Sequence, residues 1–252
     1  MRTGFCWILS VFAHFATGLA SSVCWADSST KNLDDLLARY ETSAGAEFTA
    51  KNISLYSSMI ASVSGDVRAD GARLRAGGGY GWYAYNGKRW TGATQDTITF
   101  DGRQSWAELL IGYQITLGPW IVKAYAGGIQ ERNAVNPFDA DNPQQGGGVG
   151  GKVLIETWLR MGEVAFLQTD ASWSGVFDAY SARTRLGYRI TPALSAGLDA
   201  AISGMSVYGA GRGGLFVRYE WTGGEASIAS GAAGDRDGML GGYGSMAVLL
   251  RF

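Results

Sequence analysis

Apolar residues recur along this chain with a period of two. In residues 107–117 one alternate set is Ala107, Leu109, Ile111, Tyr113, Ile115 and Leu117; the other is Glu108, Leu110, Gly112, Gln114 and Thr116. Residues 180–190 divide into Tyr180, Ala182, Thr184, Leu186, Tyr188 and Ile190 against Ser181, Arg183, Arg185, Gly187 and Arg189. Residues 194–203 set Leu194, Ala196, Leu198, Ala200 and Ile202 against Ser195, Gly197, Asp199, Ala201 and Ser203. A β-strand sends successive side chains to opposite faces, so each segment reads as a strand with one apolar face and one polar or small face. The same split recurs in residues 152–160, 212–221 and 243–252, and is blurred by glycines in 73–85 and 120–131.

These segments run to about 10–14 residues, longer than the ~5–6 typical of soluble strands and matched to a tilted strand that crosses a bilayer. Tight turns at Gly118-Pro119, Met161-Gly162, Thr191-Pro192 and Gly223-Gly224 alternate with longer loops expected at 86–102, 133–147 and 203–211. Short turns on one side and longer loops on the other predict an all-β, antiparallel up-and-down transmembrane barrel. Ten strands are expected from Ala72 onward, with 52–63 a further one and 45–50 a short one. With both termini in the periplasm the number is even: twelve strands, with ten the alternative. Aromatic residues near strand ends (Trp82, Tyr113, Trp120, Trp158, Trp173, Tyr188, Tyr219 and Trp221) fit interfacial girdles. The alternative is that these rings form the core of a soluble β protein. The chain ends on Phe252, with Leu250, Val248 and Met246 on its face. A terminal aromatic on an alternating last strand looks like the insertion signal read by the outer-membrane assembly machinery.

Composition narrows the functional classes. A formal net charge of −1 offers no basic stripe, so no nucleic-acid partner is expected. Glycine, at 38 of 252 residues, is about twice its usual share but does not fall every third residue, which excludes collagen. With only 4 prolines and 12% aromatics, the chain is not of the disordered Pro/Gly kind.

Residues 1–26 read as a secretory signal peptide. Arg2 supplies the positive start, an apolar run follows from Phe5 to Leu19, and cleavage is expected after Ala26, with Ala20 a second site. The alternative, an uncleaved anchor, is opposed by the shortness of the run and by Ser10 and His14 within it. Cleavage removes both cysteines (Cys6, Cys24) and the one histidine, His14. The mature chain then has no thiol nucleophile, histidine-based triad, histidine- or thiolate-bound zinc, or disulfide. Residues 27–45 are expected to be a periplasmic segment. Leu33, Leu36, Leu37 and Tyr40 stand there at helical spacing, as a short helix at the barrel mouth or a frayed terminus. The barrel is expected over residues 46–252, in the outer membrane of a Gram-negative cell.

Several stretches resemble the bacterial cellulose biosynthesis protein BcsS family. They are Asp70-Gly71-Ala72-Arg73-Leu74-Arg75 with Gly79-Tyr80-Gly81-Trp82-Tyr83-Ala84-Tyr85, Gly112-Tyr113-Gln114, the Asp141-Asn142 loop, and Gly151-Lys152 with Glu156 and Trp158. Arg185-Leu186-Gly187-Tyr188-Arg189, Gly242-Tyr243-Gly244 and the terminal Arg251-Phe252 continue the resemblance in order over residues 46–252. The resemblance implies a part in making or exporting cellulose-type polysaccharide. It assigns no chemical step and no catalytic residue. The implied partners are a glucan chain or components of a cellulose synthase complex, alongside outer-membrane lipid.

If the apolar faces meet lipid, the polar faces line the interior. That places Arg73, Arg75, Lys123, Lys152, Arg160, Arg183, Arg185, Arg189, Arg212, Arg218 and Arg251 inside with Glu108, Glu131, Glu156, Asp170, Asp199, Glu220 and Glu225. Tyr83, Tyr85, Tyr125 and Trp158 are expected on the same inward face. Two readings follow: a salt-bridged, closed interior that braces the barrel, because unpaired buried ions are costly; or a polar passage or docking surface for glucan. Eight-stranded barrels are filled by side chains and porins of about 16 strands hold a channel, so twelve stands between. No enzyme is expected. Paired carboxylates can hydrolyse glycosides, but Glu156 and Asp170 are explained more simply as partners of arginine. No cofactor is expected either. The glycine runs at Gly77-Gly78-Gly79 and Gly146-Gly147-Gly148 lack the lysine and helix of a phosphate loop, and instead suit strand curvature or close packing.

Overall fold

Alternate residues do sort onto two faces, and the sorting is inside out relative to a soluble protein. Leu109, Ile111, Leu198, Leu215 and Ile228 are each more than half exposed, whereas Arg73, Arg218 and Asp199 are about 1% exposed. A continuous apolar exterior around a polar interior is stable when the surroundings are lipid. The computed structural model describes residues 39–91, 94–206, 208–236, 238 and 240–252. The expected signal segment 1–26 and the helix-spaced residues up to 38 lie outside them.

Twelve strands follow in order: β1 (Tyr40–Thr49), β2 (Asn52–Ser62), β3 (Gly71–Thr91), β4 (Thr94–Leu117), β5 (Trp120–Asn136), β6 (Gly146–Met161), β7 (Ala165–Ser174), β8 (Ala179–Arg189), β9 (Leu194–Met205), β10 (Tyr208–Trp221), β11 (Gly224–Asp235) and β12 (Leu240–Arg251). Each pairs antiparallel with its neighbour in sequence, and β1 pairs with both β2 and β12, so the sheet closes. Closure leaves no unpaired edge, the condition for placing backbone in hydrocarbon. The seam runs from Glu41 opposite Arg251 to Thr49 opposite Tyr243. Reciprocal hydrogen bonds between Tyr40 and Phe252, at 2.7 and 2.9 Å, fasten its end. The Phe252 ring lies 5.9 Å from that of Tyr40.

The barrel begins earlier than expected. Residues 40–45, assigned to the N-terminal segment, belong to β1. Tyr40 suited a helical spacing with Leu33 and Leu37, but Glu41, Ser43, Gly45 and Glu47 alternate too, and pairing with β12 and β2 decides for strand. The long loops also contract. The segment 86–102 is largely strand, with β3 and β4 continuing as a paired ribbon to Thr91 opposite Thr94. The segment 203–211 is mostly β9 and β10, and 133–147 shrinks to a loop at 137–145. Polar composition there suggested loop, but polar residues on a ribbon beyond the lipid need no apolar partner.

Glycine abundance has a local cause. At five places an inward aromatic ring lies directly opposite a glycine of the next strand: Tyr56 and Gly45, Trp106 and Gly79, Tyr83 and Gly102, Tyr125 and Gly112, and Phe166 and Gly187. A Cβ at Gly187 would stand 2.1 Å from the Phe166 ring, and one at Gly102 2.1 Å from the Tyr83 ring. The missing side chains let the rings lie flat on the wall. Of the two glycine runs expected to serve strand curvature or close packing, the first packs closely at Gly79, where a Cβ would stand 2.5 Å from Trp106 Nε1, whereas a Cβ at Gly146 would meet nothing within 4 Å.

Candidate functional site

The inward residues of neighbouring strands bring charges of opposite sign together across the bore. Glu108, on β4, is contacted by Arg75 of β3 at 3.0 Å and Lys152 of β6 at 2.5 Å. Arg75 also reaches Glu156 of β6 at 2.9 Å. Lys123 of β5 stands 3.6 Å from both Glu156 and Glu41 of β1, and Glu41 is 3.0 Å from Arg251 of β12. Lys152, Glu108, Arg75, Glu156, Lys123, Glu41 and Arg251 thus form one chain of alternating sign. Its Lys123–Glu41 link joins strands that are not neighbours, so the chain crosses the interior.

A second cluster centres on Asp199 of β9, whose side chain is fully buried. Its Oδ1 accepts from Arg183 Nε at 2.7 Å and Arg185 Nε at 2.8 Å, while Tyr243 Oη donates to Oδ2 at 2.9 Å. Arg183 extends to Glu47 of β1 at 3.8 Å and donates to Ser245 Oγ at 3.3 Å. Arg212 holds Glu47 in a two-pronged pair, both contacts 2.5 Å. Such bidentate pairs fix geometry as well as charge.

Aromatic faces complete this side. Arg218 lies 4.6 Å from the Trp158 ring centre and 4.4 Å from that of Phe166, and those two rings stack at 4.4 Å. Arg185 stands 4.9 Å over Phe216. Weakly hydrated guanidinium groups suit ring faces in such dry surroundings. Arg218 also meets Glu220 at 3.1 Å.

The expected inward set keeps its parity along the strands, although Arg160, at the end of β6, is exposed. Six of its charges make no ion pair among the described residues: Arg73, Arg160, Arg189, Glu131, Asp170 and Glu225. Arg73 donates to Ser62 Oγ at 2.9 Å and to the carbonyls of Val67 (3.1 Å) and Ala69, tying down the loop at 63–70. Asp170, expected to partner arginine, instead accepts from Gln168 Nε2 at 3.4 Å. Arg189 faces inward, and its Nε has no partner among the described residues. Trp158, expected both in a girdle and in the bore, is in the bore. The other seven rings expected in girdles are exposed and, with Tyr80 and Tyr180, form two bands: Tyr113, Trp120, Tyr188, Tyr219 and Trp221 near the chain termini, and Tyr80, Trp82, Trp173 and Tyr180 at the far end. Tyr83 and Tyr85 lie at that far mouth, and Tyr125 packs beneath Arg75.

Sequence reasoning missed Glu41, Glu47, Trp106, Phe166, Phe216 and Tyr243. Glu41 fell in the segment read as helical and Glu47 in a strand too short to show its period. For Tyr243 the signal was present, since it shares parity with Arg251 on β12.

Twelve long strands, an apolar belt edged by aromatic bands and an ion-paired bore define a transmembrane β-barrel of the outer-membrane class. The family model of the cellulose biosynthesis protein BcsS matches residues 42–252. The chain belongs to that family. No curated protein sequence matches it. Similar solved structures include the KdgM porin (7% identity, TM-score 0.46), with 84% of this chain and 99% of that one covered. The translocator domain of the autotransporter NalP from Neisseria meningitidis is 10% identical, with TM-score 0.47 and coverage of 97% and 96%. Omp33 of Acinetobacter baumannii is 12% identical, with TM-score 0.42 and coverage of 85% and 98%.

Proposed function

We propose that this chain is a non-enzymatic outer-membrane accessory of cellulose biosynthesis or secretion, with a braced interior rather than an open channel. The observation that carries the reading is the chain of alternating charges from Lys152 through Glu108, Arg75, Glu156 and Lys123 to Glu41 and Arg251. Each acidic member has a cation on either side, so its carboxylate is committed to structure rather than to proton transfer. A conducting passage would have to break links that cross the bore, each costing several kcal/mol when one buried partner is left alone.

On this reading residues 1–26 direct export and the assembly machinery recognises the strand that ends at Phe252. Tyr40 and Phe252 face the periplasm, and the β3–β4 ribbon faces outward. Glucan, or a component of the synthase complex, is the partner. Two measurements test it. Deleting the gene is expected to lower cellulose output, and unchanged output sinks the accessory role in favour of a general structural or porin-like barrel. The purified barrel in a planar bilayer is expected to show no steady conductance, and open-channel steps would restore the passage.

A further inference from the structure

The far mouth is not symmetrical. On β4 the outward positions run apolar from Leu117 to Ala107 and then become Ser105, Arg103, Asp101, Thr99 and Thr97. On β3 the outward Tyr80 and Trp82 give way to Asn86 and Lys88. The lipid belt therefore ends near this level, and the ribbon above it stands in water. Its inner face stays aromatic. The Tyr83 and Tyr85 rings are 6.1 Å apart, the Tyr85 and Phe100 rings 5.2 Å, and each pair is tilted by only 18°. Their edges are pinned. Tyr83 Oη donates to Asn133 Oδ1 at 2.6 Å, Tyr85 Oη donates to Asp139 Oδ2 at 2.5 Å, and Asn142 Nδ2 donates to Tyr85 Oη at 2.9 Å. The loop at 137–145 is thereby held against the row.

Among the described residues, two buried polar atoms on the elements that hold this row, β5 and the loop at 137–145, have no partner. Gln144, in that loop, is 7% exposed with its Nε2 unmet, and Glu131, two residues before Asn133 on the same face of β5, is 5% exposed with its Oε2 unmet. Buried polar groups are almost always satisfied, so an unmet donor and an unmet acceptor at one mouth call for a group that both gives and takes hydrogen bonds. Hydroxyls do so. Pyranose rings add C–H faces that suit the negative face of an aromatic ring.

We propose that Tyr83, Tyr85, Glu131 and Gln144 form a binding site for a strand of neutral β-glucan at the outer mouth. The ring row carries the flat faces of the sugars, while Gln144 Nε2 and Glu131 Oε2 take hydroxyls. The carboxylates of Glu131 and Asp139 exclude polyanionic polysaccharides by repulsion. For the identity of the sugar the site rests on the cellulose reading above; for its chemistry it rests on this geometry.

The test is titration of the full-length barrel in detergent micelles with cellohexaose, followed calorimetrically. Wild-type protein is expected to bind. Tyr85→Ala should lose about three- to tenfold, the effect of one ring contact, and Tyr85→Phe, which keeps the ring but releases Asp139 and Asn142, should fall between it and wild type. Gln144→Ala should weaken binding independently, and it decides the matter if Tyr85→Ala fails to give the compact, heat-modifiable band of a closed barrel. Polygalacturonate should not compete. The site is overturned if wild type does not bind cellohexaose, if both alanine variants bind as wild type does, or if polygalacturonate binds as tightly. The accessory role is judged separately, by the cellulose output of the deletion strain.

Discussion

The two halves of the bore solve one problem by different means. Around Glu108 each cation meets a carboxylate, and the carboxylates are linked in turn by further cations. Around Asp199 one buried carboxylate serves two arginines, and the neighbouring guanidinium groups of Arg185 and Arg218 rest on the rings of Phe216, Trp158 and Phe166. One half neutralises charge with charge; the other accommodates cations against aromatic faces. Each half sets three acids against four cations, but in the second Arg183 and Arg185 converge on one oxygen of Asp199, so that acid should matter most.

That difference is open to breaking. Arg185→Glu places a carboxylate beside Asp199, adding repulsion to a lost pair, and is expected to destabilise by at least about 5 kcal/mol. Leu186→Val, on the lipid side of the same strand, should stay within about 0.5 kcal/mol. Equal, small effects in guanidinium unfolding would remove Arg185 from the bore. Next in size, Asp199→Asn leaves Arg185 without a counter-charge and Arg183 with only Glu47, at 3.8 Å, and should cost about 3–4 kcal/mol. Glu108→Gln should cost about 1 kcal/mol less, because Arg75 keeps Glu156 and Lys152 lies 4.9 Å over Trp106. If the order reverses, the halves do not differ as described.

The glycines sharpen the same contrast. Gly187→Ala displaces Phe166 and so disturbs the Arg218 stack; Gly112→Ala displaces Tyr125, 6.0 Å from Arg75. Both overpack the wall and should cost about 1–3 kcal/mol, with Gly187 the higher. Thermal melts of the two variants compare them directly.

The smallest effect lies outside both halves. Asp70, in the loop at 63–70, accepts from Thr116 Oγ1 at 2.6 Å, and this bond holds its carboxyl below the usual carboxylate range. A lowered folded value means that its contribution is present above the unfolded value and is lost as pH falls through the folded one. Thr116→Val should raise the Asp70 midpoint, read by NMR titration, without touching either cluster. An unmoved midpoint would discard the bond as its cause.

Much of the fold is legible in sequence because strand alternation is a local property. The faces of 107–117 and 180–190 read directly, and parity alone put Arg75, Lys123, Glu156 and Asp199 inside. The ends of strands were less legible. Tyr40 satisfied a helical spacing as well as a strand, and only its pairing with Phe252 chose between them. The ribbon beyond Tyr83 looked like loop because a strand clear of lipid loses its apolar face and with it the period-two signal.

Partnership is another matter. Alternation along a single strand was enough to put Arg75, Lys123, Glu156 and Asp199 inside, since the side follows from odd and even positions. It failed at Glu41 and Glu47, where the alternation of β1 went unread, and at Arg160, exposed at a strand end. Only the tertiary structure decided that Arg75 meets Glu156, 81 residues away, that Lys123 reaches Glu41 across the bore, and that Asp170 meets an amide rather than an arginine. The reason is geometric. Which inward side chains lie at one height depends on the stagger accumulated strand by strand around a closed sheet, and closure through β1 and β12 sets that stagger for the ring as a whole.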